Sequence, residues 1–281
     1  MRGSWKIRTA LLVGAAMVIL WSLFPFLWFF LTSLTTPGNI PRTFALPETF
    51  TLEAYRTVLF GSSAAVSGSK FSIVPNIVNS FIVAMITVAL CVALSFGAAY
   101  VFSRYRSRGL DVAFNWLLLI RMTPALSLAV PIYLMITNYG LADTHIGLSL
   151  VYTMLSLPLA IWLMKGFIDT IPIEIEEAAR IDGASFFQVF RLIVLPLAAP
   201  GIAVTACFIF LASYIEYMFS LILTRGSVAT LPLAIAGYNN EHQTFYNEMA
   251  AASFVSMIPL ALFFALAGRY MVRGLTMGAV K

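Results

Sequence analysis

Long apolar stretches alternate with short polar connections along this chain. A helix needs about 20 mainly apolar residues to cross a bilayer. Six stretches meet that requirement, at residues 10–31, 73–102, 112–136, 146–164, 201–223 and 250–270. They are apolar on all sides and lack the alternation that is typical of a transmembrane β-strand. The pattern therefore predicts an all-α membrane protein with six transmembrane helices.

The composition of the chain agrees with a membrane location. Of its 281 residues, 60% are hydrophobic and only 10% are charged, whereas a soluble domain has roughly 25% charged residues. So few charges leave too little polar surface for a globule in water. Cys91 and Cys207 lie inside apolar stretches, which argues against a disulfide framework. His145 and His242 have no partner at metal-ligand spacing, so we expect no metal and no cofactor on this chain.

Lys and Arg residues gather on one side of the predicted helices. The richer side carries Arg2, Lys6, Arg8, Arg104, Arg106, Arg108, Lys165, Arg180, Arg191, Arg269, Arg273 and Lys281. The other side carries Arg42, Arg56, Lys70 and Arg225. Because cytoplasmic loops hold the excess of Lys and Arg, both termini are predicted to be cytoplasmic. Residues 1–71 then comprise a cytoplasmic start, the first helix and an exported loop, residues 72–270 a membrane domain, and residues 271–281 a cytoplasmic tail.

Two exported connections are long enough to have a structure of their own. Residues 32–71 contain three prolines and a stretch rich in Gly, Ser and Ala, with a short helix predicted near residues 52–59. Residues 225–249 are polar and aromatic. Each is either a structural loop or a surface for an extracytoplasmic partner, and the sequence does not separate these interpretations.

Residues 165–200 form the longest connection on the predicted cytoplasmic side. Pro172 suits the first turn of a helix, and the acidic residues that follow it complement the helix dipole. Gly183 fits a left-handed C-terminal cap. Ser185 and Gln188 have the spacing of a capping box, which predicts a second helix.

Pro196 and Pro200 are expected to end that second helix before the fifth membrane helix. Both short helices have an apolar face. They are predicted either to lie on the bilayer surface or to dock into a groove of a partner protein.

A motif in this connection matches a known family. Glu177-Ala178-Ala179, Gly183 and Ile193-Val194-Leu195-Pro196 resemble the EAA loop of permeases from ATP-driven (ABC-type) importers, with every fixed position at the correct spacing. The surrounding sequence is similar to the carbohydrate branch, which includes the maltose permeases. The resemblance runs from about Asn76 to the C-terminus and includes the final residues Gly274 to Lys281.

The resemblance implies a type I importer permease fold, in which residues 72–270 form the transport domain and residues 165–200 carry a coupling helix. It implies contacts with a separate ATP-binding subunit by Glu177, Ala178, Ala179, Arg180, Asp182, Gly183, Leu195 and Pro196, and by the tail residues Gly278 and Lys281. Two copies of that subunit would hold ATP and Mg. The other expected partners are a second, homologous permease, a periplasmic or lipid-anchored solute-binding protein and membrane lipid, with no nucleic acid. The expected location is the cytoplasmic (inner) membrane.

The chain has no nucleotide-binding motif of its own. No G-x-x-x-x-G-K-[ST] sequence occurs, and the two histidines lack partners for nucleophilic catalysis. We therefore expect a transport subunit without a catalytic residue, whose ATPase is a separate polypeptide.

Two charged residues lie inside predicted membrane helices. Arg121 is in the third and Glu216 is in the fifth, next to Tyr214 and Tyr217. Charged side chains are costly in the bilayer and usually face a cavity or each other. We assign these four residues to the translocation pathway. The competing interpretations are an ion pair between the two charges and ordinary packing of the tyrosines.

The function that the resemblance implies is import of a sugar or sugar derivative by alternating access. A polyamine or glycerol phosphate importer is an alternative, because EAA loops are shared widely. A membrane scaffold without transport is a further alternative. The transported sugar itself cannot be identified from these residues.

Overall fold

The computed structural model describes residues 3–35, 49–61, 72–239 and 244–277. Within these ranges the chain is helical, and its only β-structure is an isolated bridge between Asn239 and Thr244. The all-α fold that the sequence predicts is confirmed.

The helices follow one another with short connections. In chain order they are α1 (Gly3–Ser33), α2 (Glu53–Phe60), α3 (Val74–Arg104), α4 (Arg108–Ile120), α5 (Ala129–Asn138), α6 (His145–Ile168), α7 (Ile173–Ile181), α8 (Phe186–Val189), α9 (Leu195–Leu197), α10 (Ala199–Tyr214), α11 (Met218–Leu223), α12 (Leu231–Ala236) and α13 (Tyr246–Met277). A 3₁₀ turn, Ala125–Leu128, precedes α5, and one turn of π-helix, Phe190–Val194, joins α8 to α9.

Four helices are continuous and apolar enough to cross a membrane. These spans are Arg8–Ser33, Val74–Arg104, His145–Ile168 and Tyr246–Gly268. Two bent helix pairs raise the number to six if each pair forms one span. The described residues therefore agree with the six predicted transmembrane helices. The division of the chain into segments at residues 71 and 270 stays a prediction.

The third predicted span, residues 112–136, is not one straight helix. Helix α4 ends at Ile120, and the segment Ala125–Asn138 continues at an angle of 96°. Pro124 lies at the break with extended backbone (φ −58°, ψ 123°). Because proline has no N–H and restricts the residue before it, a continuous helix cannot pass through this position.

The fifth predicted span, residues 201–223, is also interrupted. Helix α10 ends at Tyr214, and a separate short helix, Met218–Leu223, follows. The Glu216 carboxylate accepts a hydrogen bond from the backbone N–H of Phe219 (3.1 Å). This acceptor satisfies one of the free N–H groups at the start of the second helix, so the side chain supports the break that the hydrophobic pattern does not reveal.

The described residues form two compact units. The first comprises residues 1–74 and 234–257. Within it, the Asn247 amide donates to the carbonyls of Thr32 (3.2 Å) and Thr35 (3.0 Å), and the rings of Phe30 and Phe254 meet edge to face with centroids 5.4 Å apart. These contacts join the end of α1 to the start of α13.

The second unit comprises residues 75–233 and 258–281 and contains the core around α6. The buried side chains Val151 and Tyr152 of α6 pack with Ile132 of α5 and Phe219 of α11. Small residues allow α6 and α10 to approach closely. At Gly201, a Cβ atom would lie 2.5 Å from the Cβ atom of Phe167, so only glycine fits.

The connection after α11 is held by polar side chains within this second unit. Asn79 donates to the carbonyls of Ser227 and Ala229, and Asp143 accepts from the N–H groups of Ser227 (3.3 Å) and Val228 (3.1 Å). Burial works to raise the pKa of Asp143, but these N–H groups, together with that of Arg225, outweigh it and hold the pKa below the usual 3.8. The carboxylate therefore stays ionised at neutral pH and keeps accepting these hydrogen bonds.

We predict that Gly201→Ala destabilises the protein because its methyl group would overlap the Phe167 side chain. The expected loss is about 1–3 kcal/mol of unfolding free energy, measured by thermal and denaturant unfolding of the purified protein in detergent. Gly97→Ala is the matched control, since nothing lies within 4 Å of its added Cβ atom. Equal stabilities of the two variants would contradict the close approach of α6 and α10.

Candidate functional site

The connection between α6 and α10 contains the two short helices that the sequence predicts. Helix α7 ends in a Schellman motif, with the Gly183 N–H bonded to the Arg180 carbonyl (3.1 Å) and the Ala184 N–H bonded to the Ala179 carbonyl (2.9 Å). Gly183 has φ +90°, a conformation that strains any residue with a side chain. Helix α8 begins with the predicted capping box of Ser185 and Gln188. Both local predictions are confirmed.

Two details of this connection differ from the prediction. Pro172 precedes α7 as its N-cap residue rather than lying in the first turn. Pro196 does not end the second helix, because the chain continues through a π-turn into α9 and bends by 68° before α10. Pro200 lies in the first turn of α10. A proline at such a position loses no hydrogen bond, since the first N–H groups of a helix have no partner within it.

A buried ion pair holds α7 against the end of α3. The Arg104 Nε atom lies 2.6 Å from Glu176 Oε1, and the two side chains are 9% and 1% exposed. The Tyr100 hydroxyl donates to Glu176 Oε2 (2.7 Å), and Arg180 Nη2 lies 4.0 Å from the same oxygen. The sequence places Glu176 among the acidic residues that favour the helix dipole, and it does not reveal that this side chain is buried.

Arg104 also binds the end of α6. Its Nη2 atom donates to the backbone carbonyls of Ile168 (3.2 Å) and Ile171 (2.9 Å). These carbonyls belong to the last turn of α6 and the turn after it. One guanidinium group therefore joins the ends of α3 and α6 to helix α7.

Aromatic rings cover this polar cluster. Tyr100 packs against Phe186 and Phe190, with ring centroids 5.7 Å and 5.3 Å apart, and Phe96 lies 4.8 Å from Phe190. These rings fix α8 and the π-turn to the end of α3. The packing also limits access of water to the ion pair, which strengthens its electrostatic attraction.

The opposite surface of the loop is exposed. Of the residues assigned from the motif, Ala179 is half-buried, and Glu177, Ala178, Arg180, Asp182, Gly183, Leu195 and Pro196 are exposed. Large apolar side chains lie beside them, with Ile181 85%, Leu192 66% and Phe187 63% exposed. The chain thus buries Glu176 and leaves the motif and its apolar neighbours uncovered.

The two charged residues assigned to the pathway both lie at helix breaks. Arg121 follows α4 and is exposed, and Glu216 lies between α10 and α11. Neither forms an ion pair with any residue that the structure describes. The mutual ion pair considered for these two side chains is therefore absent from the described part of the chain.

The tyrosines beside Glu216 differ in environment. Tyr214 is buried with its ring stacked on Phe210 (centroids 5.4 Å apart), whereas Tyr217 is exposed. A third tyrosine, which the sequence does not single out, is buried on α6, and the hydroxyl of this residue, Tyr152, lies within electrostatic reach of the Glu216 carboxylate. A pathway role for Arg121, Glu216, Tyr214 and Tyr217 stays a prediction.

The remaining predictions concern the C-terminal tail and metal binding. Gly278 and Lys281, assigned to the tail contact, lie outside the described residues. Within the described ranges, no three or more His, Cys, Asp and Glu side chains lie close enough together to hold a metal ion.

Residues 92–277, more than half of the chain, match the family model of the binding-protein-dependent transport system inner membrane component. The chain belongs to this family. It is a permease component of an ABC importer, so ATP hydrolysis takes place on a separate subunit.

Relatives with established names cover nearly the whole chain. It is 34% identical to the trehalose transport system permease protein SugB of Mycobacterium tuberculosis, covering 99% of this chain and 97% of the relative. It is 32% identical to the trehalose/maltose transport system permease protein MalG of Thermococcus litoralis, covering 98% and 97%.

A solved structure has the same fold. It is a bacterial ABC transporter involved in the import of the acidic polysaccharide alginate, and it matches with a TM-score of 0.72 at 22% identity, covering 95% of this chain and 96% of that chain. The likeness supports the assignment of the helices to an importer permease fold.

We predict that Glu176→Gln lowers the free energy of unfolding by about 3 kcal/mol, because the Arg104 charge would be buried without its partner. Glu174→Gln on the same helix is the control, since Glu174 is exposed and a surface change costs within about 0.5 kcal/mol. Denaturant unfolding of the purified protein in detergent measures both. A similar loss in the two variants would contradict the structural role of the buried pair.

Proposed function

We propose that the chain is the permease subunit of an importer for a disaccharide such as trehalose or maltose. The names of the two relatives support this substrate class, since they are about one third identical along nearly their whole length. The observation that carries the coupling mechanism is the surface of α7 and α8, where the family motif lies exposed beside uncovered apolar side chains.

The coupling surface is proposed to dock into a groove of the ATP-binding subunit. Apolar Ile181 and Phe187 would be buried in that groove, and Glu177 and Arg180 would make charged contacts at its rim. Closure of two ATP-binding subunits would then move the loop, and the Arg104–Glu176 pair would carry this motion to the ends of α3 and α6. The result would be a shift between outward-facing and inward-facing states.

The proposed assembly contains a second, homologous permease, two copies of the ATP-binding subunit with ATP and Mg, and a periplasmic or lipid-anchored solute-binding protein. Helix α1 supports the need for covering partners, because none of residues 8–32 is buried within this chain. Lipid and a second permease are the candidates to cover it.

The proposed orientation has both termini in the cytoplasm. The excess of Lys and Arg on that side supports it, and it places α7 on the side where ATP is available. A cysteine introduced at Asp182 should react with a membrane-impermeant thiol reagent only after cells are permeabilised. Labelling in intact cells would overturn the orientation.

Sugar specificity is tested with the importer reconstituted in vesicles with its partner subunits. We expect trehalose or maltose to raise the thermal stability of the partner solute-binding protein and to accumulate in vesicles in an ATP-dependent manner. Spermidine and glycerol 3-phosphate are the comparison solutes. ATP-driven uptake of either of these, without uptake of a sugar, would replace the sugar proposal.

The coupling role predicts that Glu177→Lys and Gly183→Asp assemble in the membrane but uncouple ATP hydrolysis from transport. Uptake should fall by about tenfold or more in Glu177→Lys, the factor that corresponds to the loss of one charge-assisted contact. It should also fall in Gly183→Asp, because the new side chain strains the positive-φ backbone of the docking surface. Gly140→Asp is the matched control, because Gly140 also has positive φ (+67°) and open space but lies between α5 and α6. It should carry similar backbone strain and leave coupling intact. Full transport by both loop variants would refute the docking surface.

A further inference from the structure

A groove at one end of the α6 span is lined by none of the residues assigned to coupling or to the pathway. It has a volume of about 400 Å³ and lies between α4 and α6. Its apolar wall includes Phe114 of α4 together with Trp162 and Phe167 of α6. Its polar end is formed by Lys165 and Asp169.

The polar end carries one positive and one negative charge. Lys165 Nζ lies 2.7 Å from Asp169 Oδ2 and 5.5 Å from the centroid of the Phe114 ring, and the Ser103 hydroxyl donates to Asp169 Oδ1 (2.6 Å). Both charged side chains remain accessible, at 24% and 43% exposure. An ammonium group has three donors and a carboxylate about four acceptor sites, so each partner of this pair retains capacity for a ligand.

The position of the groove specifies what surrounds it. Helix α6 is a membrane span that ends at Ile168, so Lys165 and Asp169 lie where hydrocarbon gives way to lipid headgroups. Trp162, which is half-exposed, lies one turn deeper. Tryptophan favours this interfacial level of a bilayer. A lipid molecule is therefore the ligand present at high concentration around the groove.

We propose that this groove binds a phospholipid with an ethanolamine headgroup. The phosphate would contact Lys165, the ammonium would donate to Asp169, and an acyl chain would lie along Phe114, Trp162 and Phe167. The charge pattern selects this class of lipid. A headgroup with only a negative charge would be repelled by Asp169, and a choline headgroup has no N–H to donate to it. The proposal holds for any transported solute.

The test is native mass spectrometry of the complete importer with an equal mixture of phosphatidylethanolamine, phosphatidylglycerol and phosphatidylcholine. We expect phosphatidylethanolamine to be retained preferentially. Lys165→Gln should reduce its occupancy about fivefold, the effect of one basic contact with a headgroup. Asp169→Asn should remove the preference over phosphatidylcholine. Arg225 is exposed and lies outside the groove, so Arg225→Gln should change neither the occupancy nor the preference.

A photo-crosslinking residue at position 162 provides a second measurement that does not depend on the charge variants. Crosslinks to lipid in the assembled importer support the proposal, whereas crosslinks to another subunit overturn it. Unchanged phosphatidylethanolamine binding in both charge variants, or a preference for phosphatidylglycerol, also overturns it. Thermal stability of each variant, compared with the unmodified importer, identifies any loss of binding that arises from unfolding.

Discussion

The buried pair of Arg104 and Glu176 is the interaction on which the arrangement of the loop between α6 and α10 depends. Removing two charges from water is costly, and their attraction offsets that cost only when the remaining donors and acceptors are also satisfied. Here Tyr100 donates to the carboxylate, and the carbonyls of Ile168 and Ile171 accept from the guanidinium. Breaking the pair would leave an unpaired buried charge at the junction of α3, α6 and α7. Helix α7 is thus held by these contacts on one side while its other side remains exposed.

The same need to satisfy polar groups governs the broken helices. In the bilayer a free N–H or carbonyl is costly, and irregular backbone persists only where protein or a water-filled cavity surrounds it. Glu216 illustrates the solution, because its carboxylate accepts from Phe219 at the start of α11. Its charge, its position at a break and its nearness to Tyr152 are compatible with both a capping role and a pathway role.

The loop between α6 and α10 is packed against α3 on one face and exposed on the other. Tyr100, Phe186 and Phe190 fix the loop to α3, while Ile181 and Phe187 remain uncovered. A partner that binds the uncovered face would therefore contact a segment whose other face is packed against α3. The groove that ends at Lys165 and Asp169 lies on the same helix, α6, whose final carbonyls Arg104 binds, so lipid and ATPase would act on neighbouring parts of one element.

The sequence by itself determined the features that depend on local interactions. Apolar length predicted the spans, and the Gly183 cap and the Ser185 capping box followed from residues within five positions of each other. The tertiary structure alone decided which of two adjacent glutamates is buried. Glu176 and Glu177 are identical in chemistry, and they differ because Arg104, 72 residues earlier in the chain, meets only one of them. The approach of Tyr152 to Glu216 likewise depends on packing between distant segments, which no local pattern encodes.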